Sequence, residues 1–182
     1  MKKIALILCI CATCISLKAQ EKKSFGQKLV DKGFMWTMNI KAGGGFLNLK
    51  GKGFTAFDIT PAFGYNFNKY ISARVPFGGE IALFEQDGVK DWASNGTIGL
   101  CLGVIPIRFD EDDGKGLLEL YIAAGTTYTH KYDWQYTYYD CGFNIAFGKI
   151  AKFQAGFGVC YYDARKSDNR MTVYTSLGFR FN

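Results

Sequence analysis

The sequence predicts an all-β fold, an eight-stranded antiparallel transmembrane β-barrel, on three observations. Apolar and polar residues alternate with a period of two in eight stretches between Phe34 and Asn182. The 182 residues are 16% aromatic, with 11 Tyr, 16 Phe and 22 Gly, whereas mean hydropathy is close to zero; that combination suits a membrane barrel and not a bundle of apolar helices. The third observation is the last stretch, where Met171, Val173, Leu177, Phe179 and Phe181 share one face and Thr172, Tyr174, Ser176 and Arg180 the other. A terminal strand in a soluble protein usually blunts its open edge with charge or proline. This one stays apolar to its end, so it predicts a partner. Pairing with the first strand would close the sheet with its apolar face toward lipid.

The chain opens with a targeting pattern. Lys2 and Lys3 precede an apolar run from Ile4 to Ile15, too short to span a bilayer, and Ala19 offers a small residue before Gln20. Residues 1–19 are therefore expected to be a signal peptide. The lipoprotein alternative is weaker, because Thr13 precedes Cys14 where a small residue such as Gly or Ala is needed. Loss of Lys2, Lys3 and Lys18 lowers the formal charge from +6 to +3, too mild to argue for a nucleic-acid partner. Of six Cys, Cys101, Cys141 and Cys160 remain, an odd number, with Cys101 and Cys160 expected inward and Cys141 outward. They match no zinc spacing and read as small apolar fillers.

Residues 20–33 are polar apart from Phe25, Leu29 and Val30, and read as a periplasmic tether or a short helix. Residues 34–182 are the expected barrel. The first strand carries Phe34, Trp36, Met38, Ile40 and Ala42 on one face and Thr37, Asn39 and Lys41 on the other; Asn48 to Gly53 is a turn. Thr55, Phe57, Ile59, Pro61, Phe63, Tyr65 and Phe67 then alternate with Asp58 and Thr60 in a second strand. Asn68-Lys69 connects tightly to a third, with Ile71, Ala73, Val75, Phe77, Ile81 and Leu83 set against Ser72, Arg74 and Glu80. Glu85 to Asn95 reads as a longer polar loop containing Trp92. Ile98, Leu100, Leu102, Val104 and Pro106 mark the outer face of a fourth strand, and Asp110 to Gly116 is an acidic turn. Leu118, Leu120, Ile122 and Ala124 define a fifth, with Glu119 and Tyr121 inside. Thr129 to Tyr138 reads as an aromatic loop, followed by Tyr139, Cys141, Phe143, Ile145 and Phe147 outward against Asp140 and Asn144. Gly148 to Ile150 turns into a seventh strand, outward at Phe153, Ala155, Phe157, Val159 and Tyr161. A charged loop from Asp163 to Asn169 leads to the closing strand.

An even strand count puts both ends of the barrel chain on the periplasmic side. Aromatics should then form two girdles, with Trp36, Phe67, Phe109, Phe147, Phe153 and Phe181 near the termini and Phe46, Tyr128, Tyr139 and Tyr161 at the opposite rim. Pro61, Pro76 and Pro106 conflict with this picture, since each deletes a ladder hydrogen bond and a closed barrel has no edge. Bulges or strand ends are the expected remedy.

The Ala19-Gln20 junction, Thr60-Pro61, Ile105-Pro106-Ile107, the Gly64-Tyr65-Asn66-Phe67-Asn68-Lys69 strand-turn and the Leu177-Gly178-Phe179-Arg180-Phe181 ending carry a resemblance. The chain resembles the small outer-membrane β-barrel (porin-like) family of Bacteroidota, and in architecture the OmpA transmembrane domain and OmpX. The resemblance implies residence in the cell outer membrane, among outer-membrane lipid and lipopolysaccharide. It also implies insertion by the barrel-assembly machinery, with Phe179 and Phe181 as the assembly signal. Asn182 after the last Phe departs from the proteobacterial pattern of a terminal Phe.

Eight strands enclose a lumen only wide enough for side chains. Lys41, Asp58, Arg74, Glu80, Glu119, Asn144 and Arg180 are all expected inward, as a network plugging it, because a buried ion without a partner is very costly. Lys41 and Asp58, on adjacent strands at similar depth, are the expected couple. A narrow porin-like channel is the alternative. A lipid A-modifying enzyme is weaker: His130, the only His, lies beside Asp133 at the far rim, but no Ser is close to it in sequence. The expectation is therefore no enzyme, no catalytic residues, no cofactor and no metal. A soluble lipocalin-like binding barrel would turn the apolar face inward; charges at mid-strand on the other face argue against it. The loop from Tyr128 to Tyr139 suits a glycan or protein ligand, against the plainer reading of a strand extension with an aromatic belt.

Overall fold

The computed structural model describes residues 25–43, 55–86, 89–109, 116–128, 135–149, 151–164 and 170–182. The signal segment, Phe46, the turns at 48–53 and 110–115, His130 with the rest of 129–134, and the loop at 165–169 lie outside the described residues.

One short helix, α1 (Phe25–Asp31), precedes the strands. It stops because Gly33 takes φ 93°, the left-handed conformation that favours glycine. A Cβ there would also stand 2.8 Å from the Asn66 carbonyl. That close approach is a contact: the Asn66 amide donates to the Gly33 carbonyl at 2.7 Å, fastening the helix end to the sheet.

Eight strands follow: β1 (Phe34–Gly43), β2 (Thr55–Asn66), β3 (Ile71–Gln86), β4 (Val89–Phe109), β5 (Gly116–Tyr128), β6 (Tyr136–Phe147), β7 (Ala151–Ala164) and β8 (Met171–Phe181). Each pairs antiparallel with its neighbours, and β1 pairs with β8 from Trp36↔Phe181 to Gly43↔Tyr174, so the sheet is a closed barrel. We call the end holding the chain termini the near end and the opposite end the far end. Near-end turns are short for local reasons. Asn68 Oδ1 accepts from the amides of Tyr70 and Ile71 at 2.7 and 2.9 Å, and Gly148 turns the chain with φ 132°.

The faces are inverted relative to a water-soluble protein. Outward Ile122 is 62% exposed and Phe63 61%, whereas inward Glu119, Gln154 and Arg180 are 0% exposed. That arrangement removes the lipocalin-like alternative, whose apolar face would line a cavity. Aromatic pairs gather toward both rims: Trp36 with Phe181 at 5.0 Å, Phe109 with Phe147 at 6.2 Å and Phe153 with Phe179 at 6.0 Å at the near end, and Tyr139 with Tyr161 at 6.4 Å at the far end.

The prolines sit where the ladder is open. β2 and β3 pair at Ile59↔Gly79 and resume at Ala62↔Pro76, leaving Pro61 in the gap. β3 and β4 pair at Arg74↔Cys101 and next at Phe77↔Ile98, leaving Pro76 in a gap of its own. Pro106 lies in the register shift between Val104 and Ile107. This bulge turns both Pro106 and Ile107 outward and buries Ile105 against Leu117 and Ala146.

Two expected loops are corrected. Glu85 to Asn95 is not a loop, because β3 and β4 stay paired to Gln86↔Val89. Apolar periodicity does not mark this part of the ladder, which backbone hydrogen bonds alone can extend. The two-residue Asp87-Gly88 link in the sequence is a hairpin signal that the loop reading passed over. The aromatic loop likewise ends early: β6 starts at Tyr136, and Tyr136 and Tyr138 are buried inward, 3% and 9% exposed. They belong to the lumen and not to a ligand-binding loop.

Candidate functional site

The lumen is filled in two storeys. In the near-end storey Glu119 of β5 is the hub. Arg74 of β3 donates through one guanidinium nitrogen to both Glu119 oxygens at 2.8 Å, and Arg180 of β8 forms an ion pair with Glu119 at 2.9 Å. Ser72 donates at 3.0 Å and Asn144 of β6 at 3.3 Å. A fully buried carboxylate thus meets two cations and two neutral donors, the arrangement that offsets its desolvation. Arg180 also reaches Asn66 at 3.4 Å. Below it Lys152 donates to the Lys149 and Asn182 carbonyls at 3.1 and 3.2 Å and to the Asn182 side chain at 3.0 Å.

Small inward residues make room for these groups. A Cβ on Gly103 would stand 2.4 Å from Glu119 Oε1, and one on Gly158 2.5 Å from the Tyr174 hydroxyl. Lumen-facing glycines therefore set how deep the large polar side chains reach.

In the far-end storey Lys41 of β1 bonds Asp140 of β6 at 2.8 Å. The Tyr174 hydroxyl donates to the other Asp140 oxygen at 2.6 Å and shares a short hydrogen bond with Tyr121. Lys41 Nζ also lies 4.9 Å from the Tyr174 ring centre, and the Arg74 guanidinium 5.6 Å from that of Tyr121, which joins the two storeys. Tyr136 donates to Glu80.

Of the residues singled out from sequence, the near-end storey brings together Arg74, Glu119, Asn144 and Arg180, and the far-end storey holds Lys41, Asp58 and Glu80. The expected couple is corrected. Lys41 and Asp58 are register partners, but the ammonium turns to Asp140, where a tyrosine hydroxyl already holds the carboxylate. Asp140 faces inward in the alternation, as do Tyr121 and Tyr174, but none of the three was among the residues expected to form the network, and Tyr136 was expected in the aromatic loop. Phe179 points outward, 52% exposed, and Phe181 lies half-buried at the β1–β8 seam on Trp36.

A cavity of about 50 Å³ remains between the storeys, bordered by Asp58, Thr60, Glu80, Tyr138 and Asp140 among others. It has room for about three waters. Cys101 and Cys160 face inward and Cys141 outward, all as free thiols. Among the described residues no three of His, Cys, Asp and Glu are grouped to hold a metal.

No protein-family model matches the chain, and no curated protein matches it. Among solved structures the chain is similar to one described as de novo design of transmembrane β-barrels, at 13% identity and a TM-score of 0.48, over 82% of this chain and 94% of that one.

Proposed function

We propose that this protein is an outer-membrane β-barrel with a structural or surface-interaction role and a lumen filled by its own side chains. The observation that carries the reading is the inversion of faces: a continuous apolar outer surface rimmed by aromatics surrounds fully buried Glu119, Gln154 and Arg180. Such a surface is costly in water and favourable in hydrocarbon, and closure leaves no unpaired strand edge in lipid. The motif resemblance to small outer-membrane barrels of Bacteroidota supports the same location. Outer-membrane lipid and lipopolysaccharide are then the surroundings, the barrel-assembly machinery the partner during insertion, and the far-end loops the place for a glycan or protein ligand.

The test is heat-modifiable migration. Mature protein extracted in detergent should run faster on a gel unheated than boiled, and should precipitate when detergent is removed. Solubility without detergent, together with migration indifferent to heating, would overturn the membrane reading. In planar bilayers the filled lumen should give no steady conductance; steps of conductance would favour the narrow channel instead.

A further inference from the structure

Four inward side chains form one row across adjacent strands: Lys41 pairs with Asp58, Asp58 with Glu80, and Glu80 with Asn95. Read along the row, the charges run positive, negative, negative, neutral. The Lys41 ammonium is bonded to Asp140 and meets Asp58 and Glu80 only through space. Two carboxylates are left directly opposite each other on neighbouring strands, a destabilising arrangement unless a positive charge joins them.

The neutral groups beside them are also unanswered. Asp58 Oδ1, Thr60 Oγ1 and both polar atoms of Asn95 are buried without a hydrogen-bond partner, although Thr60 is only 6% and Asn95 3% exposed. Asp58, Thr60 and Glu80 border the 50 Å³ cavity. Tyr136 gives Glu80 one donor, which leaves the net charge unchanged. Among the described side chains, the Lys, Arg, Asp and Glu groups facing this level are Lys41, Asp58, Glu80 and Asp140, beside the neutral hydroxyls of Tyr136, Tyr138, Tyr162 and Tyr174 and the Cys160 thiol. One cation faces three carboxylates, and its direct bond is to Asp140, so Asp58 and Glu80 hold no bonded cation of their own among the described side chains.

We propose that Asp58 and Glu80, with Thr60 and Asn95 beside them, bind one divalent, oxygen-preferring cation of the Ca²⁺ class in the far half of the lumen. Every offered ligand atom is oxygen, which excludes the nitrogen and sulfur preference of zinc. The donors are irregularly placed on three strands, β2, β3 and β4. Ca²⁺ accepts six to eight oxygens in flexible geometry and can complete its shell with water, whereas Mg²⁺ demands a near-ideal octahedron. With two carboxylates and not three, affinity should be weak, with a Kd of about 10⁻⁴–10⁻³ M. The site is interior, so it stands independently of what surrounds the outer face.

The experiment uses the mature barrel refolded in detergent, stripped with chelator and titrated with CaCl₂ at constant ionic strength. At about ten times the Kd the unfolding temperature should rise by about 3–6 °C. TbCl₃ should show emission sensitised through the lumen tyrosines and displaced by CaCl₂. Asp58→Asn and Glu80→Gln should each weaken Ca²⁺ about tenfold or more, and Thr60→Val, which removes one neutral oxygen, by less. Absence of both the Ca²⁺-dependent shift and displaceable terbium emission in the unaltered protein would overturn the site. So would a response kept by both Glu80→Gln and Thr60→Val, which would place the ion elsewhere and applies even where Asp58→Asn does not fold. A stability that responds to pH but not to CaCl₂ would show that the carboxylates share a proton and would equally overturn it.

Discussion

Lys41 stands opposite Asp58 in the β1–β2 ladder, yet its ammonium spans the lumen to Asp140 on β6, 2.8 Å away. Register decides which backbones meet, but a lysine stem is long enough to choose among carboxylates, and Asp140 is already oriented by Tyr174. The pair is also unequal. The Lys41 side chain keeps 23% of its exposure and that of Asp140 only 1%.

The inequality gives the first prediction. Lys41→Met strands a buried carboxylate and should cost about 3–5 kcal/mol. Asp140→Ala strands a lysine that still reaches water, so its cost should be smaller, about 1–3 kcal/mol. Denaturant unfolding of the refolded barrel measures both, and the double variant should recover part of the Lys41→Met loss. Additive losses would mean that the two groups do not couple.

Glu119 should be the most sensitive lumen position. Glu119→Gln leaves Arg74 and Arg180 buried beside a neutral amide, and it should destabilise by at least the about 3–5 kcal/mol of one broken buried pair. Adding Arg180→Met should restore stability relative to the single variant. No effect of Glu119→Gln on unfolding would sink the hub.

Gly103→Ala adds a single methyl group, but on the lumen face it would meet Glu119 at 2.4 Å and Ser72 at 2.6 Å. Overpacking of this kind should cost about 1–3 kcal/mol. The same exchange at Gly79, where nothing stands closer than 4.0 Å to the added atom, should be nearly neutral, and equal costs at the two sites would refute the steric account.

Phe181→Lys separates stability from assembly. A charge near an interface costs a folded barrel only about 0–1 kcal/mol, so refolding into lipid should be almost unchanged. In cells, loss of an assembly signal should appear as unfolded precursor. Normal assembly of that variant would remove Phe181 from the signal.

Strand number and closure were legible from period-two alternation and the apolar last stretch, and which face points outward from the charges that the other face carries at mid-strand, such as Arg74 and Glu119. The apolar terminal strand from Met171 to Phe181 announced its pairing with β1 before any register was visible. The far-end extension of β3 and β4 was legible only in the Asp87-Gly88 pair at its tip. Its ladder is held by backbone groups common to every residue, and side-chain periodicity does not record them. Pairing in the lumen was half legible. Inward facing of Arg74, Glu119 and Arg180 follows from alternation, but which carboxylate Lys41 takes depends on side-chain reach and on the tyrosine hydroxyls. The Glu119 hub joins β3, β5, β6 and β8, a convergence across the barrel that adjacent-strand reasoning does not reach.

That hub ties electrostatics to the order of the strands. Glu119 lies on β5 and Arg74 on β3, but Arg180 is carried by β8, which follows both in the chain. Until β8 docks against β1 and β7, Glu119 lacks one of its two guanidinium partners, and Arg180 has no sealed interior to enter. The final strand therefore delivers both the missing wall and the missing charge in one event. A partly closed barrel is penalised twice, by unpaired backbone groups along β1 and β7 and by an incomplete ion cluster. Closure of the sheet and completion of the ion cluster thereby fall on the same strand.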